Sequence, residues 1–290
     1  AGPGTPDEID AAFWEAVAQE DFSALETQLD VEGAALSAVL PALMDWRSRR
    51  AQEARLARWR HRIVWKRLTG SATGRRRTPE GTWLAVLPEG TAVDPWVTTV
   101  LDGIGTAVVT VETGSTDRAV VAAALTAQLP AGTPVAGVVS LLALRDELTG
   151  DVPDGVGLTT GLLQALGDAG VDAPLWCLTR GAVFTGTTDR PARPLQAAIW
   201  GLGRVAALEY PQRWGGLADL PEDPDPRAAA ALGAVLAGLD DEDQVAVRGA
   251  AVLARRLVPA PPREDTAAWT TTGTVLITGG TGALGGHVAR

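Results

Sequence analysis

Eight residues near the end of the sequence, Thr278-Gly-Gly-Thr-Gly-Ala-Leu-Gly285, have the composition and spacing of a phosphate-binding turn. The apolar run Thr274–Thr278 predicts a buried strand before the turn, and a helix is predicted after it. Glycines permit a tight turn and close approach to a pyrophosphate, which the free amides of the helix N-terminus can bind. A purely structural glycine turn is the alternative. The candidate cofactor-binding residues are Gly279, Gly280, Thr281, Gly282, Ala283, Leu284 and Gly285.

Side chains suited to acid–base or nucleophilic catalysis are scarce in the 290 residues. There are one cysteine, one lysine, one tyrosine, two histidines and no asparagine, namely Cys177, Lys66, Tyr210, His61 and His287. A single cysteine excludes a disulfide framework and a cysteine-rich metal site. Cys177 lies in an apolar segment and is interpreted as a buried strand residue, and the acidic run 240–243 as a solvated loop. We therefore predict no metal site.

Positive charge is concentrated in one part of an acidic chain. The net charge is −10, yet residues 47–77 carry twelve basic residues and one acid, which leaves −21 for the other 259 residues. A basic stretch is one form of nucleic-acid or anionic-membrane footprint. Arginine in place of lysine, interleaved with Trp46, Trp59 and Trp65, favours instead a helix face that pairs with carboxylates of the same chain or of a partner. No nucleic-acid partner is predicted.

The chain also lacks the sequence features of a membrane protein. No apolar run reaches the roughly 18–20 residues that a bilayer span requires. The N-terminal residues AGPGTPDEID are acidic, unlike a signal peptide. We therefore expect a cytoplasmic protein without a membrane partner.

From residue 63 onward, short apolar strands alternate with helical segments, which predicts an α/β fold with a mostly parallel, doubly wound sheet. The predicted strands are 63–65, 83–87, 107–111, 135–140, 174–178 and 245–248, and the predicted helices are 118–128, 156–169, 194–209 and 227–239. The strand 83–87 is followed by Pro88-Glu-Gly-Thr91 instead of a glycine-rich turn. This half is therefore predicted to have a Rossmann-like outline without a phosphate-binding loop.

The N-terminal region is predicted to consist of short helices, with Pro41 starting a new helix that runs to about residue 61. Fewer than about sixty residues bury apolar side chains poorly without help. Dimerisation is therefore our preferred interpretation, with Phe13, Trp14 and Leu40 as contact residues. A helical cap folded onto its own domain is the alternative.

Several stretches resemble the ketoreductase domains of modular (type I) polyketide synthases, in the short-chain dehydrogenase/reductase superfamily. The turn 278–285 is similar to their cofactor loop, and the front end 13–25 is similar to the dimerisation element that precedes some of them. Three blocks resemble the family's non-catalytic structural subdomain: 198–211 with 214–216, 242–248, and 62–65.

The resemblance implies two Rossmann-like subdomains, of which the second binds NADPH and reduces a β-keto thioester held on an acyl carrier protein. In that family a tyrosine supplies the proton, assisted by serine, lysine and asparagine. The superfamily motif Tyr-x-x-x-Lys does not carry over, because Trp214 stands four residues after Tyr210 and Lys66 lies in the basic segment. We therefore expect no catalytic residue in this chain, and a catalytic half beyond Arg290.

Together these observations predict a helical dimerisation element (1–62), a structural subdomain (63–258), a linker (259–272) and the start of an NADPH-binding subdomain (273–290). The predicted function is part of a ketoreductase that reduces a carrier-bound β-keto thioester to a β-hydroxy thioester with NADPH. Its predicted partners are a second copy of the chain and the carrier-protein-bound intermediate. The alternative is a dimerising scaffold with no activity of its own.

Overall fold

The computed structural model describes residues 13–17, 19, 22–30, 33–69, 81–129, 132–186, 189, 193–260 and 272–289. The chain divides into two compact units, Ala1–Arg62 with Pro259–Arg290, and Ile63–Val258. Most of the predicted linker, 261–271, and the end of the basic segment, 70–77, lie outside the described residues.

The N-terminal part of the first unit contains the helices α1 (Phe22–Leu29) and α2 (Gly33–Trp59), preceded by helical residues 13–17. Val17, Leu25 and Leu40 form a small buried cluster against which Met44 packs. Beyond residue 44 the side chains of α2 are mostly exposed.

Helix α2 continues through Pro41, so the predicted helix start at this residue is wrong. A proline inside a helix removes one backbone hydrogen bond and costs about 3 kcal/mol. Leu40 and Met44 lie one turn apart on either side of Pro41, and both pack against the buried cluster. We attribute the continuity of the helix to this packing, which outweighs the local cost.

The second unit is built on an eight-stranded sheet with the order β1-β10-β9-β8-β7-β4-β2-β3. The strands are β1 (His61–Arg67), β2 (Thr82–Pro88), β3 (Val108–Thr113), β4 (Val135–Ser140), β7 (Leu175–Arg180), β8 (Trp214–Leu220), β9 (Gln244–Arg248) and β10 (Ala251–Pro259). A separate antiparallel pair is formed by β5 (Leu148–Thr149) and β6 (Val152–Pro153). Strands β3, β2, β4, β7, β8 and β9, in this order across the sheet, pair in parallel, and β10 is antiparallel to β9.

Helices cover both faces of the sheet, as the doubly wound prediction requires. One face carries α3 (Pro95–Asp102) and α7 (Pro226–Leu236), and the other carries α4 (Arg118–Gln128), α5 (Asp154–Asp168) and α6 (Pro194–Glu209). Successive residues of β2 point to opposite faces, as strand geometry demands: Leu84 belongs to the α4–α6 core and Ala85 to the α3–α7 core. The α/β prediction is confirmed, and the bounds of α4 and α6 match it.

Helix α3, strands β8 and β10, and the short pair β5–β6 were not predicted. Helix α3 is short and rich in β-branched residues, but Asp94 caps it by accepting a hydrogen bond from the Trp96 amide at 2.7 Å. Strand β8 begins Trp-Gly-Gly and β10 contains two consecutive arginines, so neither has a continuous apolar pattern. Tertiary pairing in the sheet, which a local pattern does not contain, determines both strands.

A buried ionic network fixes the segment after β7 to the neighbouring strands. The carboxylate of Asp219 on β8 is fully buried and accepts hydrogen bonds from the Thr179 hydroxyl at 2.6 Å and the Ala182 amide at 2.7 Å. Arg248 at the end of β9 donates from Nη2 to Asp219 Oδ2 at 2.9 Å and from Nε to Asp189 at 3.0 Å. The buried charge is thus paired and hydrogen-bonded, as a charge in a low-dielectric interior must be.

Candidate functional site

The glycine turn near the end of the chain leads into a helix, α8 (Ala283–Val288), as predicted. The strand predicted at 274–278 is not formed: these residues have no regular structure, and Leu276 is 89% exposed. A strand requires a hydrogen-bonded neighbour, and within the described ranges none pairs with this segment. The turn is therefore present without the strand that would support it.

Close packing inside the turn explains why glycines occupy it. Gly279 has a left-handed backbone conformation, with φ of +68°, and its carbonyl oxygen accepts a hydrogen bond from the Gly282 amide at 2.9 Å. A Cβ atom added to Gly285 would lie 2.3 Å from the same oxygen, whereas a Cβ added to Gly286 would meet no atom within 4 Å. The first turn of α8 thus lies directly against the loop, and only glycine fits at 285.

This geometry matches the requirements of a pyrophosphate-binding turn. The amides of Ala283, Leu284 and Gly285 belong to the first turn of α8, where no intrahelical carbonyl is available to them. Backbone N–H groups at a helix N-terminus, reached through a glycine loop, favour phosphate through direct hydrogen bonds and the helix dipole. The residues Gly279–Gly285 therefore fit a dinucleotide phosphate group, and a bound nicotinamide cofactor would supply a hydride.

The turn after β2 in the second unit is unsuited to binding phosphate, because its amides are already bonded within the chain. The Thr91 amide and hydroxyl both donate to the Pro88 carbonyl, and the Ala92 amide donates to the Glu112 carboxylate at 2.9 Å. Glu112 lies near the end of β3, which pairs with β2. Its negative charge, together with that of Glu89 beside Gly114, would repel a phosphate at this edge.

A cleft of about 350 Å³ lies at the carboxyl edge of this sheet, where the order of the strands reverses. Ligands of open α/β sheets bind at such switch points. Its lining includes Pro88, Thr113 and Gly114 from the ends of β2 and β3, and Arg145 and Asp154 from the opposite wall. Arg145 is oriented toward Glu147 and Asp154 at 3.2 and 3.8 Å, so its charge is already partly neutralised within the chain.

The candidate catalytic side chains are not brought together. Tyr210 directly follows α6, Lys66 and the exposed His61 lie on β1, and His287 is exposed on α8. Cys177 is buried in β7, and burial raises the pKa of its thiol to about 12, which makes it a poor nucleophile. Among the described residues, no group of three or more His, Cys, Asp or Glu side chains has the arrangement of a metal site.

The three candidate dimer contacts differ in how far their own chain covers them. Phe13 and Trp14 are half-buried and stack edge to face with ring centroids 5.1 Å apart. The Arg47 guanidinium lies 4.4 Å from the Trp14 ring centroid and donates to the Trp14 carbonyl at 3.3 Å. Leu40 is buried against Val17 and Leu25, so its side chain supports the helix pair from within.

Two structural features were missed by sequence reasoning. The Asp219–Arg248 network depends on strands β8 and β9 being neighbours, which no local pattern reveals. Glu112 had a usable signal, because an acidic residue near the end of the second strand is a known position in Rossmann-like folds.

Taken together, the fold defines a Rossmann-like α/β protein with a helical N-terminal unit. Two family models match it: the Rossmann-fold domain of polyketide synthase extender module SpnB over residues 82–257, and the polyketide synthase dimerisation element domain over residues 10–52. The chain belongs to the ketoreductase region of modular polyketide synthases and carries that family's dimerisation element.

Individual relatives agree with this assignment. Polyketide synthase GfsA of Streptomyces halstedii is 48% identical over 98% of this chain, and the pikromycin polyketide synthase component PikAIII of Streptomyces venezuelae is 46% identical over 80% of it. The matched regions are 4% and 14% of those two proteins. A solved A1-type ketoreductase, 48% identical, superposes with a TM-score of 0.67 over 79% of this chain and 49% of its own.

Two further expectations concern dimerisation and membrane insertion. The dimerisation element supports homodimerisation through the N-terminal helices. Among the helices that the structure describes, none combines the length and apolar character required to cross a bilayer.

Proposed function

We propose that this chain provides the structural subdomain and the first cofactor-binding turn of a ketoreductase that uses NADPH to reduce a carrier-protein-bound β-keto thioester to a β-hydroxy thioester. The observation that carries this proposal is the contact of Gly285 with the Gly279 carbonyl, which places the first turn of α8 against the glycine loop. Membership of the ketoreductase family supports the reaction class, and the resemblance supplies the carrier-bound substrate and the choice of NADPH.

In this proposal the two units have separate tasks. The turn Gly279–Gly285 holds the cofactor pyrophosphate through backbone amides. The eight-stranded sheet binds no cofactor. In the turn after β2, the Ala92 amide donates its hydrogen bond to the Glu112 carboxylate, which also places negative charge there. The sheet serves as a rigid support for the catalytic half.

A second candidate is favoured by a specific sequence observation. Residues 1–290 contain no Tyr-x-x-x-Lys pair and no asparagine, so the proton relay expected from the resemblance is absent from them. These residues alone are then a dimerising scaffold without turnover.

The experiment compares the 290-residue chain with the complete ketoreductase region that contains it. A β-keto thioester is supplied, and loss of NADPH absorbance is recorded. The proposal predicts turnover by the complete region and none by residues 1–290, with circular dichroism confirming that both are folded. Turnover by residues 1–290 contradicts the division of tasks, and inactivity of the complete, folded region contradicts the proposed reaction.

A further inference from the structure

Four charged side chains lie together at the carboxyl edge of the eight-stranded sheet. We call them the carboxyl-edge cluster, and they are Asp146, Arg180, Arg193 and Glu222. Arg180 ends β7, and the other three residues lie in the connections that follow β4, β7 and β8. These three strands are parallel neighbours, so their carboxyl ends bring the four residues to one place.

Ion pairs connect the members of the carboxyl-edge cluster. Arg193 donates from Nη1 to Asp146 Oδ2 at 3.3 Å and from Nη2 to Glu222 Oε1 at 2.7 Å. Arg180 Nη2 lies 3.2 Å from the same Glu222 oxygen, and the guanidinium carbon of Arg180 lies 5.7 Å from the centroid of the Trp96 ring. These contacts use one oxygen of each carboxylate, and they hold the two carboxylates and the Arg180 guanidinium side by side.

Three polar atoms of the carboxyl-edge cluster are buried and have no hydrogen-bond partner among the described residues. They are the second oxygens of the two carboxylates, Asp146 Oδ1 and Glu222 Oε2, and the Nε atom of Arg180. In the part of the chain that the structure describes, only Trp83 Nε1 and Thr159 Oγ1 share this property, so three of the five such side-chain atoms belong to one cluster. A buried polar atom without a partner is costly, and three of them side by side indicate a shared partner.

The chemistry of the three atoms limits what their shared partner can be. Two of them are carboxylate oxygens, which accept hydrogen bonds, and the third is a guanidinium N–H, which donates one. A metal cation cannot accept from the N–H, and an anion cannot donate to the oxygens. The two arginines and two acids of the cluster also balance in charge without an added ion. A water molecule donates two hydrogen bonds and accepts a third, and buried waters typically make about three hydrogen bonds to groups that lack other partners.

We propose that the carboxyl-edge cluster binds one internal water molecule, which donates to Asp146 Oδ1 and Glu222 Oε2 and accepts from Arg180 Nε. The water links the connections after β4 and β8 to the end of β7, and it thereby fixes Arg193, the residue that precedes α6. Open α/β sheets bind ligands outside the carboxyl ends of their strands. At these three strands, the protein's own charges and one water occupy that position. The inference does not depend on the proposed reaction, because no step of that reaction involves this edge of the sheet.

A crystal structure of the complete ketoreductase region, at a resolution that shows ordered water, tests the site directly. We expect one water molecule within hydrogen-bonding distance, about 2.7–3.2 Å, of all three atoms. A protein group bonded to any of the three atoms overturns the proposal. A metal ion or an anion at this position, or no ordered water there, also overturns it.

NMR provides an independent readout in solution through the Nε–H proton of Arg180. A long-lived internal water transfers magnetisation to a neighbouring proton with the sign of a bound molecule, whereas surface water exchanges too rapidly to do so. We expect this bound-water signal at Arg180 and none at Arg118, which is the control because its ion pair with Asp168 is largely exposed. The same result at both arginines overturns the proposal.

A pair of substitutions tests whether Asp146 encloses the water. Asp146→Ala removes one acceptor and opens the site to solvent, so hydrogen exchange of the Arg180 Nε–H should become at least ten-fold faster. Glu147→Ala is the matched control, because Glu147 is the exposed neighbour that pairs with Arg145, and it should leave the rate within two-fold. Equal rates in the two variants overturn the proposal. The crystal structure and the magnetisation transfer use the unsubstituted protein, so they decide the question if Asp146→Ala does not fold.

Discussion

Arg248 and Asp219, on neighbouring parallel strands, form an ion pair at 2.9 Å in which the aspartate side chain is fully buried. The same guanidinium donates to the Val183 carbonyl at 3.0 Å and contacts Asp189, so one arginine holds the segment after β7 against β8 and β9. The network lies beside Trp200, whose indole donates to the Thr179 hydroxyl at 3.1 Å. Trp200 of α6 therefore contacts the sheet through a polar network as well as through apolar packing.

Removing Arg248 should destabilise the protein strongly, because Asp219 would remain as an uncompensated buried charge. We expect Arg248→Ala to lower the free energy of unfolding by about 3–5 kcal/mol in urea titrations. Arg118→Ala is the control, because its pair with Asp168 is largely exposed, and it should cost far less. Similar losses for the two variants would contradict the structural importance of the buried pair.

Two glycines of α6 should respond differently to the same substitution. A Cβ added to Gly203 would lie 2.7 Å from the Leu217 side chain, whereas one added to Gly201 would meet no atom within 4 Å. Gly203→Ala should therefore cost about 1–3 kcal/mol through overpacking. Gly201→Ala should be neutral or stabilising by up to about 1 kcal/mol, because alanine favours the helix. Thermal unfolding of both variants checks this, and an equal response would refute the close helix–sheet contact.

Low pH should weaken the ion pair between Asp189 and Arg248. Burial raises the pKa of this carboxyl, but hydrogen bonds from Thr185 and the charge of Arg248 outweigh it, so the pKa is lowered overall. A carboxyl with a lowered folded-state pKa stabilises the protein above its unfolded pKa of about 3.9, and this contribution is lost as the pH falls through the folded-state value. Asp189→Asn should therefore make the stability less sensitive to pH below about pH 5.

The measurement for Asp189 is the urea midpoint between pH 7 and pH 3. Asp151→Asn, in the exposed turn between β5 and β6, serves as the control and should keep the pH dependence of the unsubstituted protein. If Asp189→Asn also keeps it unchanged, the ionic attachment does not contribute to acid stability.

Removal of the N-terminal helices should change the oligomeric state without unfolding the α/β unit. We expect the chain to be a dimer, and deletion of residues 1–46 to yield a monomer, because Phe13 and Trp14 are only half-covered by their own chain. Light scattering gives the masses, and circular dichroism checks the fold. A truncated protein that stays dimeric would assign the helices to a cap on their own chain.

The sequence predicted the α/β class and a sheet with helices on both faces. It also predicted the bounds of α4 and α6, because the apolar periodicity of these two helices coincides with burial. It did not predict β8 or β10, whose glycines and arginines are accommodated by pairing with distant strands. The glycine turn was predicted from spacing alone, since its geometry is local. The strand before it was not formed, because a strand depends on a neighbour outside its own segment.

The most direct test of the cofactor turn is the NADPH dissociation constant of two single variants of the complete ketoreductase region. Gly285→Ala places a Cβ against the Gly279 carbonyl, whereas Gly286→Ala, the next residue of α8, adds the same methyl group in open space. Calorimetry should show NADPH binding weakened at least ten-fold by Gly285→Ala and left within two-fold of the unsubstituted protein by Gly286→Ala. Unchanged affinity in a folded Gly285→Ala protein would contradict the assignment of this turn to the cofactor.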